Sequence, residues 1–169
     1  TIHPFLDGNG RIGRLLITLF LVKEGLLEKP LLYLSTFFET PKDLYYDNLS
    51  AIRTKNDMAQ WIKYFLVGIE QTASLAVETL SSILEFKNET ENLIRGTYRT
   101  RSTNAIIVFH RLLENPYTTI DQVASLCGIT FTSASTLVKL LVKDGLLFEI
   151  TGQSRNRLFV CEQYLNLFR

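Results

Sequence analysis

Cysteine is scarce in this sequence, with Cys127 and Cys161 as the two examples among 169 residues, far apart and without metal-ligand spacing. That argues against a disulfide framework, and the pair is expected as buried thiols of a cytoplasmic protein. Long apolar runs are missing too. No stretch of roughly 18 uncharged apolar residues occurs, so no membrane span is expected. No signal peptide, internal repeat or low-complexity tract is visible in the given residues. An excess of either charge is also lacking, since the net charge is +1. Residues 1–100 carry 11 Lys and Arg against 12 Asp and Glu, and the remainder carries seven against five. Neither part is basic enough to bind nucleic acid by charge alone. An initiating Met is absent as well: the sequence begins at Thr1, directly on a motif, and is expected to belong to a longer chain.

What is present reads mainly as helix. Ile12, Leu15, Leu16, Leu19 and Phe20 recur at helical spacing up to Gly25, a natural stop. Residues 28–38 are apolar and predict a turn and a short helix. Thr40, Pro41 and Asp43 then look like the start of another helix running to about Arg53. Asn56 and Asp57 offer the next cap. After it Trp61, Ile62, Phe65, Leu66, Ile69, Ala73, Ala76, Leu80, Ile83 and Leu84 keep a 3.6-residue rhythm in one long helix reaching about Leu93. Both this helix and the first one expect further helices to pack on.

The composition changes at 95–103 (RGTYRTRST), a polar, basic stretch expected as a linker between residues 1–94 and 104–169. Beyond it come a helix over 104–114, stopped before Pro116, and a second capped by Thr119 with Gln122 three residues on, ending at Gly128. A third opens at Thr130 or Thr132 and ends at Gly145. Two β-like runs follow, 147–151 and 157–161. Helix, helix–turn–helix, hairpin is the order of a winged helix-turn-helix domain, so the expected class is mainly α with an α+β module at the end. Its third helix should turn Ala134, Leu137, Val138 and Leu141 inward and Thr132, Ser133, Ser135, Thr136, Lys139 and Lys143 outward. That outward face holds no Arg, Asn or Gln to read bases. The turn residues Gln153, Arg155, Asn156 and Arg157 offer a phosphate grip. The balance favours a scaffold, dimer or protein-docking role over DNA binding.

The chemistry lies in residues 3–14. His3 stands four residues before Asp7; Gly8-Asn9-Gly10 follow, then Arg11 and Arg14 at the opening of a helix. Glycines let the backbone approach a ligand, and the unpaired N–H groups of a helix start attract anions. Two arginines on the first turn add forked donors for phosphate oxygens. Asp7 is a hard oxygen ligand suited to Mg2+ that also holds phosphates. His3 titrates near neutral pH and is the natural general base. Any one of these features alone is ordinary turn or surface chemistry. Together in twelve residues they spell a nucleotidyl- or phosphoryl-transfer site.

The block fits HPFx(D/E)GNGRxxR at every fixed position, and the sequence resembles the Fic family of protein adenylyltransferases. The resemblance extends to LLYLS at 31–35, Tyr45-Tyr46 and WIKYFL at 61–66, as in bacterial members with an appended winged helix. It implies a helical bundle whose upstream helices and target-holding hairpin precede Thr1, and AMP transfer from ATP to a Ser, Thr or Tyr hydroxyl of a protein, including itself. By the resemblance His3 deprotonates the hydroxyl, and Asp7 holds Mg2+. Gly8, Asn9 and Gly10 line the anion hole, Arg11 grips the β-phosphate and Arg14 reaches the γ-phosphate. Phe5 and Ile12 are core anchors, and Pro4 stiffens the loop. Tyr45 and Tyr46 are candidate nucleotide contacts, or equally core packing. The family's inhibitory (S/T)xxxE(G/N) motif does not occur: Glu24-Gly25 has Phe20 four residues ahead. Phosphoryl transfer, as in the Doc branch, and a nucleotide-sensing DNA-binding regulator are the alternatives. Gly10 speaks against the first, because that branch has Lys there. Expected partners are ATP, a protein substrate, and, further down, DNA and a second copy of the chain.

Overall fold

A computed structural model of the chain describes residues 4–30, 34–39 and 42–168. Among them the chain is mainly helical, with a small antiparallel sheet. It divides into two compact units, Thr1–Glu78 and Thr79–Arg169.

In the first unit, α1 (Asn9–Lys23) ends where Gly25 turns left-handed at φ 72°, the stop expected from sequence. Short α2 (Leu34–Glu39) and α3 (Lys42–Lys55) follow. The Thr40-Pro41 start lies outside the described residues. Asn56 takes φ 53°, which Asn tolerates better than most residues. Asp57 then caps α4 (Met58–Thr97), its Oδ1 accepting from Gln60 N at 2.9 Å. The core of this unit is aromatic. Leu34 and Phe38 are fully buried, with Ile17, Leu21, Tyr45, Tyr64 and Phe65 packed against them. The Phe38 ring lies 5.2 Å from Tyr45, 5.9 Å from Tyr64 and 6.5 Å from Trp61, centroid to centroid. Gly68 permits this packing, because a Cβ there would stand 2.6 Å from the Phe37 ring. On α1 the packed residues are Ile17 and Leu21, whereas Leu15, Leu16, Leu19 and Phe20 of the expected apolar stripe remain exposed.

The second unit begins within α4, and here the expected linker is absent. Residues 95–97 continue the helix, and 99–101 form a single 3-10 turn. Ile94 and Tyr98 enter the core, and Tyr98 donates to Asp144 Oδ2 at 2.5 Å. Burial and that carboxylate push the Tyr98 phenol well above its ordinary range. Polar neighbours disguised this segment, since one aromatic in nine residues anchors it. Then come α5 (Ser102–Glu114), β1 (Tyr117–Thr119), α6 (Ile120–Cys127), α7 (Phe131–Lys143), β2 (Phe148–Glu149), β3 (Leu158–Val160) and α8 (Glu162–Asn166). β3 is central, antiparallel to both neighbours, with Thr118 opposite Phe159 and Phe148 opposite Val160. The helices bury Val108, Phe109, Leu112, Val123, Ala134, Leu137, Val138 and Leu141, together with Cys161, which links β3 to α8. The predicted inward face of α7 is the one observed, and of the outward residues all are exposed except Ser135, which is half-buried. Cys161 is buried and Cys127 half-buried; both are free thiols.

Thr119 makes the expected capping box. It accepts from Gln122 N at 3.3 Å, and its own N–H donates to Gln122 Oε1 at 2.9 Å. Thr130, not Thr132, caps α7. Thr119→Ala should therefore cost about 1 kcal/mol in denaturant unfolding. An unchanged midpoint would mean that the box contributes nothing to the fold.

Among the described residues no single helix is long and apolar enough to cross a membrane.

Candidate active site

Residues 4–8 form a loop that runs straight into α1. Gly8 occupies the N-cap with φ 78°, a left-handed conformation that favours glycine. Because it has no side chain, no cap hydrogen bond closes the helix start. The first N–H groups of α1 are left for water or a ligand, at the positive end of the helix dipole.

Asn9 fixes the loop. Its Oδ1 accepts from Phe5 N at 3.0 Å, and its Nδ2 donates to Phe5 O at 2.7 Å. This two-bond clamp replaces the expected apolar anchor, for the Phe5 ring itself is 53% exposed. Ile12 is half-buried. The Asn9 side-chain amide is thus engaged by the loop backbone.

Both arginines fold back against the glycines. A Cβ on Gly8 would stand 3.5 Å from Arg11 Nη2, and one on Gly10 3.7 Å from Arg14 Nη1. Their surroundings differ. Arg11 is open to solvent, with Asp7 Oδ2 3.7 Å from its Nη2, a pairing worth little at such exposure. The Arg14 side chain is 12% exposed, and its Nη2 donates to Glu39 Oε1 at 2.9 Å. Sequence reading missed Glu39, which lies 25 residues away on another helix and belongs to no local pattern.

Asp7 projects almost fully into solvent. Among the described residues no three His, Cys, Asp or Glu side chains gather as metal donors. A lone open carboxylate suits a cation whose remaining ligands are phosphate oxygens and water, the usual habit of Mg2+.

Of the other predicted residues, Tyr45 is half-buried in the aromatic cluster, 5.9 Å from Trp61. Tyr46 is exposed, with its ring edge-on to Tyr45 at 5.3 Å. Tyr45 thus takes part in the aromatic core, and the Tyr46 ring is open to solvent. His3 lies outside the described residues.

In the second unit, Arg155, Asn156 and Arg157 line a cleft of about 390 Å³ with Thr119, Asp121 and Phe131. Arg157 is partly engaged, its guanidinium carbon lying 5.5 Å from the Phe159 ring centroid.

In comparison with known families, the Fic/DOC family model matches residues 1–21, a range that includes the described loop 4–8 and most of α1.

Proposed function

We propose that this chain carries the catalytic loop of a protein adenylyltransferase, which moves AMP from ATP to a hydroxyl side chain of a protein. The observation that carries this reading is the open, left-handed glycine cap of α1 with two guanidinium groups folded against its glycines. Such a cradle suits a polyphosphate chain. The match of residues 1–21 to the Fic/DOC model supports the same chemistry.

In this reading the hydroxyl oxygen of the target attacks the α-phosphorus, and its proton passes to the His3 imidazole. The bond from the α-phosphorus to the bridging oxygen breaks, and pyrophosphate leaves. The backbone N–H groups of residues 9–11 and the Arg11 guanidinium meet the charge that develops on the phosphate oxygens. Arg14 holds the far end of the triphosphate. Asp7 would hold Mg2+, which would supply charge neutralisation for the phosphate oxygens. Tyr46 is the better placed of the two tyrosines to touch the nucleoside. Gly10 favours AMP transfer over phosphoryl transfer, since the resemblance places Lys at this position in the Doc branch.

The second unit reads as a winged helix-turn-helix domain, supported by its element order and by the β1–β3–β2 sheet. The small hydroxyls on the outward face of α7 suit protein docking better than base reading.

Mass spectrometry of the intact protein, incubated with ATP and Mg2+ together with candidate substrates, tests the proposal. One or more hydroxyl residues, on the protein itself or on a substrate, should gain the mass of one AMP. A gain of phosphate in its place would transfer the assignment to phosphoryl transfer.

A further inference from the structure

We propose that Glu39 is a positioning residue for Arg14, a role that rests on the adenylyl-transfer reading above. The pair is asymmetric. Arg14 is nearly enclosed, whereas Glu39, the last residue of α2, keeps 62% of its side chain exposed. A guanidinium offers its donors in a rigid fork. Here one arm, Nη2, is held by Glu39 at 2.9 Å, and the other, Nη1, lies beside Gly10 at the start of α1. Among the described residues Nε is buried without a hydrogen-bond partner.

The carboxylate therefore fixes which edge of Arg14 faces the glycine loop. Glu39 is itself fixed by its neighbour Phe38, which is 1% exposed in the aromatic core. That links the rigid part of the first unit to the phosphate cradle. Without the carboxylate charge, a largely buried guanidinium loses its counter-ion and is free to turn toward water. The Nη1 edge is then no longer pre-set for phosphate.

The test is steady-state AMP transfer by the intact protein with ATP varied, for wild type, E39Q, E39D, R14A and the R14A/E39Q double variant. ATP binding is read separately by calorimetry. E39Q should raise KM for ATP about tenfold with kcat within about twofold, because the lost interaction orders a binding group. E39D should recover part of the loss. The double variant should be no worse than R14A alone, since Glu39 acts through Arg14. If E39Q does not fold, as judged by its thermal melt, E39D and the wild-type comparison carry the same prediction in smaller measure. An unchanged KM in E39Q overturns the positioning role. A lower KM also overturns it, by making Glu39 a competitor of phosphate. A further loss in the double variant would mean that Glu39 acts elsewhere. If wild type neither binds ATP nor transfers AMP, the functional reading itself has failed, and the proposal falls with it.

Discussion

Replacing His3 by Ala should slow AMP transfer by a factor on the order of 10²–10⁴, the usual share of a general base. The imidazole is assigned to the incoming hydroxyl and not to the triphosphate. The affinity for ATP should consequently stay within about threefold of wild type, so that the loss falls on kcat. Arg14→Ala should show the opposite division, with KM carrying the change. Measured side by side on the intact protein, the two variants separate a proton-transfer role from a binding role. Equal labelling rates for H3A and wild type would remove His3 from the mechanism. An ATP affinity that collapses in H3A would make it a binding residue.

The largest effect on stability is expected in the second unit. Phe109 is fully buried in α5, its ring edge-on to Phe86 at 5.7 Å. Val108 and Leu112 beside it are equally enclosed, which leaves little freedom for collapse around a void. Phe109→Ala should cost about 3–5 kcal/mol, combining lost transfer energy with the cavity left behind. Guanidinium unfolding followed by circular dichroism measures it. A cost below about 1 kcal/mol would mean that this core relaxes freely or is not the one described.

Local signals carried much of this fold. The capping box of Thr119 and Gln122 and the glycine stops at 25, 128 and 145 each act within a few residues, so a reader of the sequence meets them whole. The inward face of α7 follows from periodicity alone. What escaped depends on distant partners. Tyr117–Thr119 is a strand because β3, some forty residues on, pairs with it; alone it is a three-residue lead into a cap. Tyr98 is core because Asp144 and the helices of its unit receive it, while the run around it is polar.

The candidate site divides in the same way. Its glycines, arginines and acid stand together in the sequence, and their shared loop needs no tertiary information. The Asn9 clamp on Phe5 is local too, yet an amide's choice between loop and ligand is not written in its position. Glu39 was invisible, because only the folding of α2 against α1 brings it to Arg14. The expectation that Phe5 would anchor the loop by burial is not met: its ring is exposed, and the Asn9 side chain holds its backbone instead.

The central claim is that the glycine loop holds ATP with its innermost phosphorus toward the attacking hydroxyl. Parallel reactions of the intact protein with ATP labelled on either the α- or the γ-phosphate test it most directly. Covalent protein label should come from the α-phosphate alone and should vanish in H3A. Label arriving from the γ-phosphate, or from neither, would contradict it.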